Sequence, residues 1–176
     1  YLGQGVPLAT YWLAHDHGIL RNGQPSDLNQ VLDLFLEPVH PDKRPQVKAN
    51  LQALCVLNAF DDDRIMAIVP AYRQLTAQNA AGATPVAFAE SVRIRRQLVQ
   101  EALARYVLDQ GDYVLDAFVR KLSEETIKQM DPHQTVWRGL HLAAINLYKG
   151  WADKYATERA RWVSELSYHE RQLQSV

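Results

Sequence analysis

The sequence predicts a mainly helical protein in two parts. Three observations carry that prediction. Apolar residues recur at intervals of three and four along most of the chain, the spacing of one helix face. Prolines, glycines and capping residues cut this pattern into segments of helical length. TAQNAAGATP, residues 76–85, is small, polar and closed by a proline, the composition of a linker. The expected division is a module over 1–75, a linker over 76–85 and a helical module over 86–176.

Pro7 suits the first turn of a helix running to about His17, with Gly18 as its stop. Leu8, Tyr11, Trp12, His15 and Ile19 share a face of it. RNGQP then reads as a turn, and Ser26 as the N-cap of a helix from Asp27 to about Glu37. That helix carries a stripe of Leu28, Val31, Leu32 and Phe35. PVHPDKRP holds three prolines and is expected to be non-helical. Residues 43–69 are the most informative stretch. A third helix is expected from about Pro45 to Ala59, so apolar on most sides that it must be largely buried. Only Arg44, Lys48 and Gln52 form a polar strip on it. Arg64 to Val69, rich in β-branched and apolar residues and ended by Pro70, reads as a short strand.

Helix, helix, helix, short strand is the order of a winged-helix domain, and the N-terminal module resembles one in that order alone. Beyond the linker, one helix is expected over about 85–109, stopping at Gly111. A second should run from near Asp112 to before Asp131-Pro132, and a third from 133 to about 173. At 1.5 Å per residue the last would span ~60 Å, against ~40 Å for a compact globule of this size. It must therefore project, bend near Gly150 or break around 156–160.

Composition narrows the function classes. Apolar residues make up 47% of 176, enough for a core. The net charge of −1 lends no support to non-specific binding of nucleic acid or anionic membrane. Cys55 is the only cysteine, which excludes an internal disulfide and any cysteine-based zinc cluster. It also fits a reducing compartment, so the expected location is cytoplasmic. No apolar run approaches the ~20 residues that cross a bilayer, and no membrane association is expected. No charged-then-apolar leader is visible, and the chain begins at Tyr1 rather than Met, as a cut or processed start would leave it.

Several residues invite functional readings. Arg95 lies near the centre of an apolar stripe of Phe88, Val92, Val99, Ala102, Leu103 and Tyr106, so it is expected to be buried and paired. Trp137, Tyr148, Trp151, Tyr155 and Trp162 form an aromatic seam with Leu140, Ala144, Leu166 and Leu173. Such a seam is ordinarily intrachain core, but its distal part, Trp151, Tyr155, Trp162, Leu166 and Leu173, is the candidate partner interface. Lys43, Arg44, Lys48 and Gln52, with Arg93 and Arg96 as a second patch, are the candidate nucleic-acid contacts.

His15, Asp16 and His17 point apart on a helix and cannot chelate together. His141 falls on the aromatic stripe, while His133 and His169 read as surface residues. Asp61-Asp62-Asp63 lacks the spacing of a calcium loop and reads as a solvated turn. No catalytic motif is present, and neither metal nor cofactor is expected.

The reading these features favour is a non-enzymatic interaction or adaptor subunit of a multiprotein assembly, docking a protein partner or a second copy through an aromatic helix face. The alternative is a nucleic-acid-binding winged-helix module, weak in isolation. A third reading, an enzyme without a recognisable motif, has no residue pattern behind it.

Overall fold

The computed structural model describes residues 20, 21, 24, 25, 27–77 and 84–174. The expected helix over 7–17 and its histidines, the Ser26 cap and most of the 76–85 linker lie outside the described residues. The architecture is mainly helical, as the periodicity requires. No helix among the described residues is long and apolar enough to cross a membrane.

Two short strands, β1 (Leu20–Arg21) and β2 (Gln24–Pro25), pair antiparallel. Helix α1 (Leu28–Phe35) follows, capped by Asp27, whose carboxylate accepts from the Asn29 and Gln30 amides at 2.9 and 3.4 Å. Val31 and Leu32 are buried, and Leu28 and Phe35 pack against the core beside them. A single 3-10 turn, Pro41–Lys43, leads into α2 (Arg44–Leu54), with Pro45 in its first turn where no amide is needed. α2 is mostly buried, as its all-round apolar character implies, and it ends at Leu54, five residues short of the expected Ala59.

The predicted strand at 64–69 is a helix. α3 runs Asp62–Thr76, and the Asp61 carboxylate caps it by accepting from the Arg64 amide at 2.8 Å. Asp62 and Asp63 place negative charge at the positive end of the helix dipole. The apolar residues Ile65, Ile68, Val69 and Tyr72 are spaced i, i+3, i+4, i+7, which fits one helix face; the first three are buried. Their β-branching suggested a strand, but burial and a strong cap outweigh that preference. Pro70 lies inside the helix, where it cannot donate to the Met66 carbonyl. The expected wing is therefore not at 64–69.

Helix α4 (Phe88–Gln100) stops well short of the expected 109. Leu103 N–H bonds Leu98 C=O at 2.9 Å and Ala102 N–H bonds Val99 C=O at 3.1 Å, a Schellman closure. The left-handed position, Ala102 at φ 55°, is one where glycine is usual. Ala102→Gly should raise stability by ~1 kcal/mol, read as an increase in the urea midpoint.

After this cap the chain forms an antiparallel hairpin, β3 (Ala104–Val107) and β4 (Asp112–Leu115), pairing Ala104 with Leu115 and Val107 with Asp112. Gly111, at φ 69°, supplies the left-handed residue of the loop. Phe60 adds one bridge on the far side of β4, with Phe60 N–H donating to Tyr113 C=O at 2.8 Å and the reverse bond at 2.9 Å. Residues 44–115 thus read helix, bridge, helix, helix, hairpin.

Asp116 caps α5 (Ala117–Met130). The long last pattern is two helices, α6 (Thr135–Lys154) and α7 (Arg159–Gln174), separated by a 3-10 turn at Ala156–Glu158. The break falls at 155–158, and α7 folds back along α6, so that Trp162 meets Trp151 and His169 meets His141. Neither helix projects. Buried apolar residues from Val31 to Trp162 form one cluster, so the two sides of the linker share a core rather than holding separate ones.

Candidate functional site

The start of α3, the end of α6 and the start of α7 meet around an arginine that sequence reasoning did not single out. Arg64 is 1% exposed. Its Nε donates to the Tyr148 hydroxyl at 3.2 Å. Its Nη1 lies 3.1 Å from Asp61 and 3.2 Å from Asp112, itself a buried carboxylate. The guanidinium carbon sits 5.2, 5.3 and 5.9 Å from the ring centroids of Trp151, Trp162 and Tyr148, within cation–π range of all three. Burial opposes the charge, but Tyr148, Asp61 and Asp112 together outweigh it and hold the pKa of Arg64 above its ordinary value. Asp112 is also paired to Arg161, whose guanidinium lies 4.7 Å from the Trp162 ring.

Outside this box the same rings open to solvent. Asp61, Asp63, Trp151, Tyr155, Glu158, Arg161 and Trp162 line a surface pocket of about 200 Å³. Trp162 is buried, Trp151 half-buried and Tyr155 39% exposed, so the rings run from floor to rim. The Trp162 Nε1–H is buried and meets no acceptor among the described residues. Burial raises the Asp61 carboxyl above its ordinary pKa despite Arg64, and the nearby Asp112 and Asp63 add to the rise. Arg161 is engaged by buried Asp112 and reaches Glu158 at 3.8 Å, and Asp61 is paired with Arg64. The lining itself carries three carboxylates against one guanidinium, with Asp63 in no ion pair among the described residues.

Three of the five expected interface residues, Trp151, Tyr155 and Trp162, are therefore brought together. Leu166 and Leu173 are half-buried and line neither this pocket nor the groove described next. Trp162 is inside the chain's own core, stacked 6.0 Å from Tyr148, so it offers a pocket floor rather than a projecting anchor.

Half of the expected nucleic-acid contacts also meet. Lys43, Arg93 and Arg96 line a groove of about 450 Å³ with Gln46, Gln97, Gln100, Ala89 and Val92. The other three turn elsewhere. Arg44 donates to the Val39 and Glu37 carbonyls, Lys48 pairs with Asp33, and Gln52 is buried and accepts from the Tyr72 hydroxyl at 2.6 Å. Arg95 is half-buried rather than buried. It holds Asp62 through two bonds of 3.0 and 3.1 Å and donates to the Tyr113 hydroxyl at 2.9 Å. The hydrogen bonds it donates to Asp62, against a smaller effect of burial, raise its pKa.

His169, expected on the surface, is fully buried, as is His141. Their Nδ1 atoms lie 2.8 Å apart, and neither Nε2 has a partner among the described residues. The α7 pattern misled here because only Trp162 and His169 of that helix are buried, two turns apart on one face that both meet Tyr148, among mostly exposed or half-buried neighbours. Burial also pushes the Cys55 thiol far up, so it stays protonated and unreactive at neutral pH. Among the described residues, no group of three or more histidine, cysteine or acidic side chains could hold a metal ion.

No family of known proteins matches this chain, and no curated protein or solved structure does.

Proposed function

We propose that the chain is a non-enzymatic docking subunit of a protein assembly, and that it seats a cationic side chain of a protein partner in the acidic aromatic pocket. The observation that carries this reading is the meeting of Trp151, Tyr155 and Trp162 with Asp61, Asp63 and Glu158 around one opening. Aromatic faces attract a guanidinium or ammonium, and carboxylates at the rim steer and orient it. The chain uses the same chemistry on itself, since Trp151 and Trp162 already flank Arg64. Such a pocket is an anchor within a wider contact, with Tyr155 as its exposed apolar edge.

The scaffold of this subunit is a winged-helix-like module, displaced along the chain from where the sequence suggested it. Residues 44–115 supply the order helix, bridge, helix, helix, hairpin, with 104–115 in the position of the wing. A cytoplasmic setting fits the single cysteine, Cys55, which is buried and unpaired.

The test is a titration of the intact chain with short arginine- or lysine-containing peptides, followed by tryptophan emission, with an acidic peptide as control. Basic peptides should give a saturable change, and the acidic peptide none. Asp63→Lys combined with Glu158→Lys should weaken binding at least about tenfold through like-charge repulsion. Both positions are exposed, so the fold should be kept. An emission change that this double variant leaves intact would refute the pocket.

A further inference from the structure

We propose that the groove between the Pro41–Lys43 turn and α4 is a second, independent site, and that it takes the phosphate backbone of duplex nucleic acid. The groove gathers three cations from two separate elements, Lys43 before α2 and Arg93 and Arg96 on α4, and no carboxylate lines it. None of the three makes an ion pair with a described residue, whereas the neighbouring cations are engaged. Arg73 is held by Glu90 at 2.7 Å, Arg95 by Asp62, and Lys48 by Asp33. The division on α4 is by face. Arg95 turns toward α3 and β4, where it is satisfied, and Arg93 and Arg96 are left exposed to solvent.

That exposed face is continuous. Ala89, Val92, Arg93, Arg96, Gln97 and Gln100 follow helical spacing along one side of α4, opposite buried Ser91, Ile94 and Leu98. The small residues Ala89 and Val92 let a backbone approach closely, the arginines offer planar forks that match phosphate oxygens, and the glutamines can bond phosphates or base edges. A helix of 13 residues is ~20 Å long, enough to lie in a major groove ~12 Å wide. An extended strip of free cations interleaved with amides suits a polyanion with regularly spaced charges better than a single anion.

The strength expected is modest. Three phosphate contacts predict a slope of about −2.7 for log K against log salt, and a dissociation constant no tighter than ~10 μM at physiological salt. This agrees with the chain's net charge of −1, which adds no long-range attraction.

The experiment is fluorescence polarisation of the intact chain with a short labelled duplex DNA between ~50 and ~200 mM salt. The same-length single strand and polyglutamate serve as competitors. Expected is micromolar, salt-dependent binding to the duplex that Arg93→Glu with Arg96→Glu weakens at least about tenfold and that Asp63→Lys leaves intact or strengthens. All three positions are exposed, and an unchanged melting transition would certify each variant. No duplex binding at low salt, binding indifferent to the Arg93 and Arg96 changes, or preference for the single strand or for polyglutamate would each overturn the proposal. Because the pocket is tested with basic peptides, failure of one site leaves the other standing.

Discussion

Replacing Arg64 by alanine should destabilise the chain by ~3–5 kcal/mol, the penalty for removing one partner of a buried ion pair. Two effects add. Asp112, 5% exposed, would keep only Arg161, whose side chain is 40% exposed and must hold the pair at the protein's edge. The space between Tyr148, Trp151 and Trp162 would also lose its filling, and a cavity in the core carries its own cost. Urea unfolding followed by tryptophan emission measures the loss. Arg95→Ala is the contrast. Its pair with Asp62 is more open, with both side chains 19% exposed, so solvent screening makes its removal cheaper. Equal losses at the two positions would show that Arg64 is not a central element of the core.

Stability should also fall in mild acid, because His141 and His169 are buried as neutral rings. Burial is the main cause of depression in both, lowering His141 to about 4 and His169 to about 3. Glu124 opposes the shift at His141, while Lys128 and Arg120 add to it; Arg120 and His141 itself add to it at His169. An unfolded imidazole takes its proton near pH 6.5, well before the folded one does. The unfolded state therefore binds more protons as pH drops below 6.5, and stability declines with it. Above pH 6.5 the contribution is fully present. Between pH 6.5 and 4.5 each imidazole should cost ~2–3 kcal/mol, at 1.36 kcal/mol per unit of pH. The raised carboxyl of Asp61 works in the opposite direction, gaining stability in acid. Urea midpoints at pH 7 and 4.5 test the sum. His141→Leu with His169→Leu, which replaces both partners by apolar groups, should flatten the dependence. A wild-type midpoint unchanged across this window would contradict the buried neutral pair.

Elements whose periodicity agreed with their caps were legible in the sequence. α1 lies within two residues of its expected bounds, α2 starts within one residue of Pro45 but ends five short, and α5 ends where Asp131-Pro132 required. The errors came where a local signal pointed one way and tertiary structure another. Ile65, Ile68 and Val69 looked like strand residues, yet their spacing was that of a helix face and Asp61 was its cap. The β3–β4 hairpin was hidden because its preceding helix stops on Ala102 rather than on a glycine. The sites were half legible for a similar reason. The chemistry of Trp151, Tyr155, Trp162, Lys43, Arg93 and Arg96 showed in the residue types. The acidic residues that meet the rings, Asp61 and Asp63, come from a distant part of the chain, and no pattern along the sequence joins them to Trp151, Tyr155 and Trp162. His169 and Arg64 became core residues only through long-range packing, which a helical wheel does not encode.

The box around Arg64 also sets an order of events during synthesis. Domains fold largely in the order in which they leave the ribosome, at ~5–20 residues per second. Arg64 is made roughly a hundred residues before Trp162, a wait of ~5–20 s. Until then its guanidinium has Asp61 and, once β4 is made, Asp112, but not the rings of α6 and α7. The nascent chain thus holds this charge in water, where a solvated ion pair is harmless and even keeps the exposed surface polar. Arrival of α6 and α7 turns the same residue from a solubilising group into a core one.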